Sequence, residues 1–196
     1  MAYVSIAEYK AYMTALTQGQ PVGMSSTEDT FLTNLLAAAQ QFIESETGRA
    51  FEAATETRYY DDRAVAYNDP ALLIVDKDLL TVTALTNGDG AAVSSGNYWL
   101  EPYNGSPKYG IRLKTTEAWV RAVDTRVSVA GTWGYMATAN ADVKRATCRL
   151  AYLEQQRRTA TGEVAVLGEG AFTFQAEVPK DIGNWLRRYT RRSGWL

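Results

Sequence analysis

Carboxylates form the clearest clusters of potentially reactive residues in this chain. Asp61 and Asp62 are adjacent, and Asp76 and Asp78 stand two apart. Paired carboxylates can divide acid and base roles between them, or hold a hard cation through several oxygens. Both pairs fall beside turn or strand-end positions, however, and solvated loop acids account for them. The chain has no histidine, which removes the commonest general base and the commonest metal ligand together. Its one cysteine, Cys148, rules out an internal disulfide framework. It lies in a helical run with no base nearby to activate it, and reads as a small packing residue. Phosphate-cradling glycine loops and paired-cysteine motifs are missing. The expectation is a non-catalytic protein without metal or cofactor, acting through its surfaces.

With 196 residues, 46% of them apolar and 11% aromatic, the chain suits one medium domain, or one domain carrying a large insertion. A net charge of -2 offers no global argument for nucleic acid or membrane binding. Met1 to Leu16 lacks the basic-then-apolar order of a signal peptide. No apolar run nears the roughly 18 residues that span a bilayer. A soluble protein made in the cytoplasm, with no membrane partner, is expected.

The elements that must carry those surfaces follow from periodicity. Ser5 and Glu8 have capping-box spacing ahead of a short helix whose Tyr9, Tyr12, Met13 and Leu16 share a face. After the polar stretch Gly19–Ser26, Ser25 and Glu28 repeat that spacing. Phe31, Leu32, Leu35, Leu36, Ala39, Phe42 and Ile43 then form one apolar stripe that Gly48 is placed to end. From Phe51 to about Thr132 the period shortens. Thr55–Tyr60, Leu72–Val75, Leu80–Thr86, Tyr98–Glu101, Ile111–Lys114 and Arg126–Trp133 read as strands, with Asn87-Gly88-Asp89-Gly90 a turn. Helix returns at Asn140, a cap for a segment with Val143, Ala146, Thr147, Leu150, Ala151, Leu153 and Glu154 inward, ending in Gln155–Arg158. Val164–Leu167 and Ala171–Gln175 flank Gly168-Glu169-Gly170 as a hairpin. Pro179 opens a last helix with Ile182, Trp185, Leu186 and Tyr189.

This order predicts an α+β fold: two long antiparallel helices and short terminal helices as a helical core, with an inserted antiparallel β module and a small hairpin. The predicted division is residues 1–50 and 136–196 for the helical core, with 51–135 as the β module.

Leu35-Leu36-Ala37-Ala38-Ala39-Gln40-Gln41-Phe42-Ile43-Glu44 runs into Thr47-Gly48-Arg49-Ala50-Phe51; Gly131-Thr132-Trp133-Gly134-Tyr135 leads to Ala141-Asp142-Val143-Lys144-Arg145-Ala146; and Val178-Pro179-Lys180-Asp181-Ile182 is followed by Leu186-Arg187-Arg188-Tyr189. In this order and spacing, over most of the chain, these stretches resemble the head–tail connector (adaptor) proteins of tailed phages, of the gp6-like and gp15-like type. The resemblance implies a homo-oligomeric ring, commonly of twelve copies, in the virion neck under the portal protein. Such a ring prolongs the channel for double-stranded DNA, and a stopper or tail protein docks on its far side. It also implies no enzymatic activity and no cofactor. The large β module departs from the shortest members of the family.

Within that frame the end of the chain is the candidate portal anchor: Trp185, Arg187, Arg188, Tyr189, Arg191, Arg192, Trp195 and Leu196 combine aromatics and arginines, the types enriched at interface hot spots. It is expected to protrude. Its arginines could instead bind DNA, though counterion release would then make a sliding channel sticky. Tyr103, Asn104 and Tyr109, in the turn-rich loop Glu101–Gly110, are candidate subunit contacts. Tyr59, Tyr60, Tyr67, Tyr98, Trp99, Tyr103 and Tyr109 are expected mainly to pack a small core. Two other readings stay open: a stopper or tail-completion protein, and a glycan-binding accessory module using those aromatics.

Overall fold

The computed structural model of the chain describes residues 2–16, 26–114, 118–120, 126–161 and 179–191. The fold is α+β, with a helical part and a five-stranded antiparallel sheet. It divides into two compact units. One takes in Met1–Gly48 and Ala139–Arg191, the other Arg49–Thr138.

In the helical unit, α1 (Ile6–Leu16) opens with the predicted capping box. The Glu8 N–H donates to Ser5 Oγ at 3.2 Å and the Ser5 N–H donates to Glu8 Oε2 at 2.8 Å. Each side chain thus satisfies a backbone donor that the helix start leaves without a partner. In α2 (Ser26–Thr47) the stripe is core as patterned, with Leu32, Leu35, Leu36, Ala39 and Ile43 buried. Gly48 ends it at φ +65°, its N–H donating to the Glu44 carbonyl at 2.8 Å; a Cβ is strained in that left-handed conformation. Ser25 lies outside the described residues.

Helix α1 runs antiparallel to α2. Near its start Tyr3 donates its N–H to Gln40 and its hydroxyl to Glu44, while further along Lys10 reaches back to Asp29 at 2.6 Å. α3 (Ala141–Thr161) is capped as expected, Asn140 Oδ1 accepting from the Val143 N–H at 3.0 Å, and packs against α2. Its inward acid Glu154 is buried because Arg157, one turn on, donates Nε and Nη2 to both carboxylate oxygens. Leu153, expected on the same inward face, is exposed. α4 (Lys180–Tyr189) starts one residue after Pro179, which caps it from outside the first turn. The expected hairpin at 164–175 lies outside the described residues.

The sheet unit comprises β1 (Ala54–Tyr60), β2 (Leu72–Thr86), β3 (Tyr98–Glu101), β4 (Lys108–Leu113) and β5 (Val127–Trp133), in the order β1-β5-β2-β4-β3. Its core is Leu73, Val75, Leu79, Leu85, Ile111, Leu113, Val127 and Val129, with Tyr60, Trp119 and Trp133. Leu72–Val75 and Leu80–Thr86, expected as separate strands, are one strand. Its first part pairs with β4 and its last with β5, and the register shifts between Ile74 and Leu79.

The polar triplet Asp76-Lys77-Asp78 does not break this strand, because its acids have partners. Asp78 is 3% exposed, not a solvated loop acid as expected, and both its oxygens accept from Arg49 Nη1 at 2.8 Å. Asp76 accepts from Arg58 at 2.8 Å and from the Tyr60 hydroxyl at 2.7 Å. The Arg49 guanidinium also lies over the Tyr135 ring, 4.7 Å from its centroid, and Tyr135 meets Phe51 edge-on.

Candidate assembly surfaces

Helix α4 is amphipathic. Ile182 and Leu186 are buried, while Arg187 and Arg188 are exposed on the opposite side. It is seated rather than protruding, because its two buried side chains need cover. Arg149 of α3 pairs with Asp181 at 2.6 Å, and the Arg191 N–H donates to the Thr47 carbonyl at 2.9 Å. Trp185 and Tyr189, one turn apart and half-buried, lean together with ring centroids 4.7 Å apart. The helix therefore presents an aromatic pair beside exposed guanidiniums, and both arginines fall in the last turn, where cations suit the dipole. Arg192, Trp195 and Leu196 lie outside the described residues.

The second surface is in the sheet unit. Leu72, Ile74, Gly110, Glu101 and Trp99 share the sheet face opposite the core and, with Tyr103, line a hollow of about 530 Å³. Gly110 forms its floor. A Cβ there would come within 2.7 Å of Leu72 Cδ1. The loop after β3 is pinned, not loose: Lys108 Nζ donates to the Pro102 and Tyr103 carbonyls at 2.7 and 3.0 Å. This leaves Tyr103 and Asn104 exposed, Tyr103 by 76%. Tyr109 also lines the hollow, and its hydroxyl accepts from Arg49 at 3.4 Å. Arg112 is fixed beside it by Glu101 and Asp69.

The expectation that the module's aromatics pack a core fails for most of them. Tyr60 is buried and Tyr98 packs against the core, but Tyr59, Tyr67, Trp99 and Tyr103 are exposed, Tyr67 by 98%. Alternation explains Tyr59 and Trp99, which lie in strands, while Tyr67 and Tyr103 lie in turns. Successive strand residues face opposite ways, and this sheet has its core on one face only.

Three solved structures share this arrangement nearly end to end. The fold resembles chains of gene transfer agent particles. A chain of the virion of a native gene transfer agent (GTA) particle aligns with a TM-score of 0.64 at 20% identity, over 98% of this chain and 92% of that one. One from the neck of an empty GTA particle, computed with C6 symmetry, gives 0.63 at 20% identity over the same shares. One from the neck of a native GTA particle, computed with C12 symmetry, gives 0.54 at 19% identity over 93% and 92%. No family model and no curated protein matches the chain.

Among the described residues no group of three or more histidine, cysteine or acidic side chains gathers in a way that could hold a metal. No described helix is long and apolar enough to cross a membrane. Burial pushes the Cys148 thiol up to about 11. Sequence patterning read Leu72 and Ile74 as part of an apolar strand run and named neither as a surface residue. The usable signal was Gly110 next to strand-forming residues, since glycine in a strand often marks a close approach or an open space.

Proposed function

We propose that this chain is a structural protein of a virion neck, an adaptor that forms a closed ring under the portal and prolongs the DNA channel toward the tail. The observation that carries the reading is likeness along almost the whole chain, both units included, to chains from GTA necks. A ring of twelve copies accords with either symmetry used for those particles, because a twelvefold axis contains a sixfold one. In this reading α4 is the portal anchor: Trp185 and Tyr189 supply contact area, and Arg187 and Arg188 supply charge-assisted hydrogen bonds. Tyr103, Asn104 and Tyr109 are subunit contacts. DNA passes through without specific binding, and a stopper or tail protein docks on the far side.

Negative-stain microscopy of the purified chain, with and without portal, tests this. Twelvefold rings seated on portal are expected, and a monomer indifferent to portal would refute the proposal. Because Ile182 and Leu186 are buried, deleting the helix would confound docking with folding. The Arg187→Glu/Arg188→Glu double variant is the cleaner probe, expected to fold normally and lose portal co-sedimentation. A salt-dependent shift of DNA by the wild type, lost in that variant, would instead assign these arginines to DNA.

One observation favours a second reading. The hollow floored by Gly110 presents Trp99 and Tyr103 as exposed aromatic surfaces, suited to stacking on a sugar ring. Binding on a glycan array, abolished by Trp99→Ala, would support a glycan-binding module.

A further inference from the structure

The two edges of the sheet are treated differently. β3 has four residues and stops at Pro102, a residue with no N–H to offer a partner strand. β1, at the other edge, is seven residues long and pairs with β5 without a bulge from Ala54 to Tyr60. It contains no proline, and its two charged residues, Glu56 and Arg58, are paired with each other at 2.6 Å. Among the described residues no strand covers its outer side. Glu56 through Tyr60 in succession, with Asp76 and Arg126, line a hollow of about 580 Å³.

The sequence of β1 is complementary to itself when laid antiparallel about Thr57. That register sets Arg58 opposite Glu56, Tyr59 opposite Thr55 and Tyr60 opposite Ala54, with Thr57 opposite Thr57. Apart from the central threonines, each pair is of opposite charge, or of a large ring against a small or β-branched residue, the combinations that stabilise cross-strand neighbours. The charged pair is already held in place. Arg58 is fixed by Glu56 at 2.6 Å and Asp76 at 2.8 Å, and it lies 5.3 Å over the Trp133 ring. Glu56 remains 40% exposed.

We infer that β1 is a self-association edge, through which two copies of the free chain join about a twofold axis into one continuous ten-stranded sheet. The occupant is a second copy because no other strand need be invoked to satisfy both the backbone edge and the charge pattern. A twofold contact cannot be repeated around a cyclic ring, so this pairing belongs to copies not held in a single ring. It does not rest on the neck reading.

Substitution of Thr57 by cysteine tests the register directly. Across the axis the two Cα atoms would stand about 4.5–5.5 Å apart, within reach of a disulfide, and the native Cys148 is buried. Mild oxidation should convert T57C to a covalent dimer. T55C should not cross-link, its two copies being four residues out of register, about 14 Å. Light scattering should find wild-type dimer and, for E56R, which sets two arginines against each other in each cross-strand charged pair, at least tenfold weaker association. An equal mixture of E56R with R58E should recover a heterodimer, because both cross-strand pairs are then of opposite charge. Monomeric wild type up to its solubility limit, dimer unaffected by E56R, or equal cross-linking of T55C and T57C would each overturn the inference.

Discussion

Arg49, the first residue after the glycine that ends α2, places one guanidinium nitrogen 2.8 Å from each carboxylate oxygen of Asp78, midway along β2. Both side chains are largely out of water, 10% and 3% exposed. Removing one partner leaves a buried charge alone, which typically costs about 3–5 kcal/mol, whereas replacing both with apolar groups is far milder. Asp78→Ala should therefore lower the urea midpoint sharply, and Arg49→Met/Asp78→Leu should recover much of the loss. A loss in the double variant equal to the sum of the losses of Arg49→Met and Asp78→Leu made singly would show that the pair is not coupled.

Glu8 provides a pH signature. Its hydrogen bond from Lys144, then those from the Ser5 backbone and hydroxyl, hold its carboxyl down at about 2. The folded-state value lies below the unfolded one, so its contribution is fully present above about pH 4.5 and is lost as pH falls toward 2. Both partners are well exposed, 40% and 46%, so the ion pair itself contributes on the order of 0.5 kcal/mol. Glu8→Gln should be slightly less stable than wild type at pH 6 and indistinguishable from it near pH 2. A difference that grew on acidification would contradict this assignment.

Cys148 should behave as a packing residue. It is buried, and its thiol, raised to about 11 chiefly by burial, carries almost no thiolate at neutral pH. Iodoacetamide should leave the native protein unmodified and label it fully in denaturant. Rapid native labelling would mean that α3 opens locally.

The two sides of α4 should separate under substitution. Leu186→Ala removes a buried side chain and should cost about 2–5 kcal/mol. Arg187→Glu should change stability little, by about 0.5 kcal/mol, since the side chain is exposed at the helix end. Thermal unfolding of the two variants distinguishes a seated helix from a free arm, for which both would be neutral.

Helices were legible from the sequence because their determinants are local. Capping spacing at Ser5 and Glu8, Asn140 three residues before Val143, and the stripe from Leu32 to Ile43 are each set within a few turns of one segment. The sign of each strand's period was equally local. What β2 does is not. A run interrupted by Asp76-Lys77-Asp78 looks like two strands until Arg49, Arg58 and Tyr60, distant in sequence, arrive to neutralise and hydrogen-bond those acids.

The surfaces divide the same way. Composition and motif spacing argued for a protein without a catalytic centre, because histidine is missing and the paired acids stand at turn or strand-end positions. Which strand aromatics face solvent depended on having the core on one face of the sheet only, and that exposed Tyr59 and Trp99 while burying Tyr60. Whether the basic C-terminal helix was an arm or a seated element depended on Asp181 meeting Arg149 and on the Arg191 N–H meeting Thr47. Neither contact lies within one segment. Hydrogen-bond spacing and side-chain period act between near neighbours and can be read along the chain. Burial and charge pairing act between segments, and only the tertiary structure brings those together.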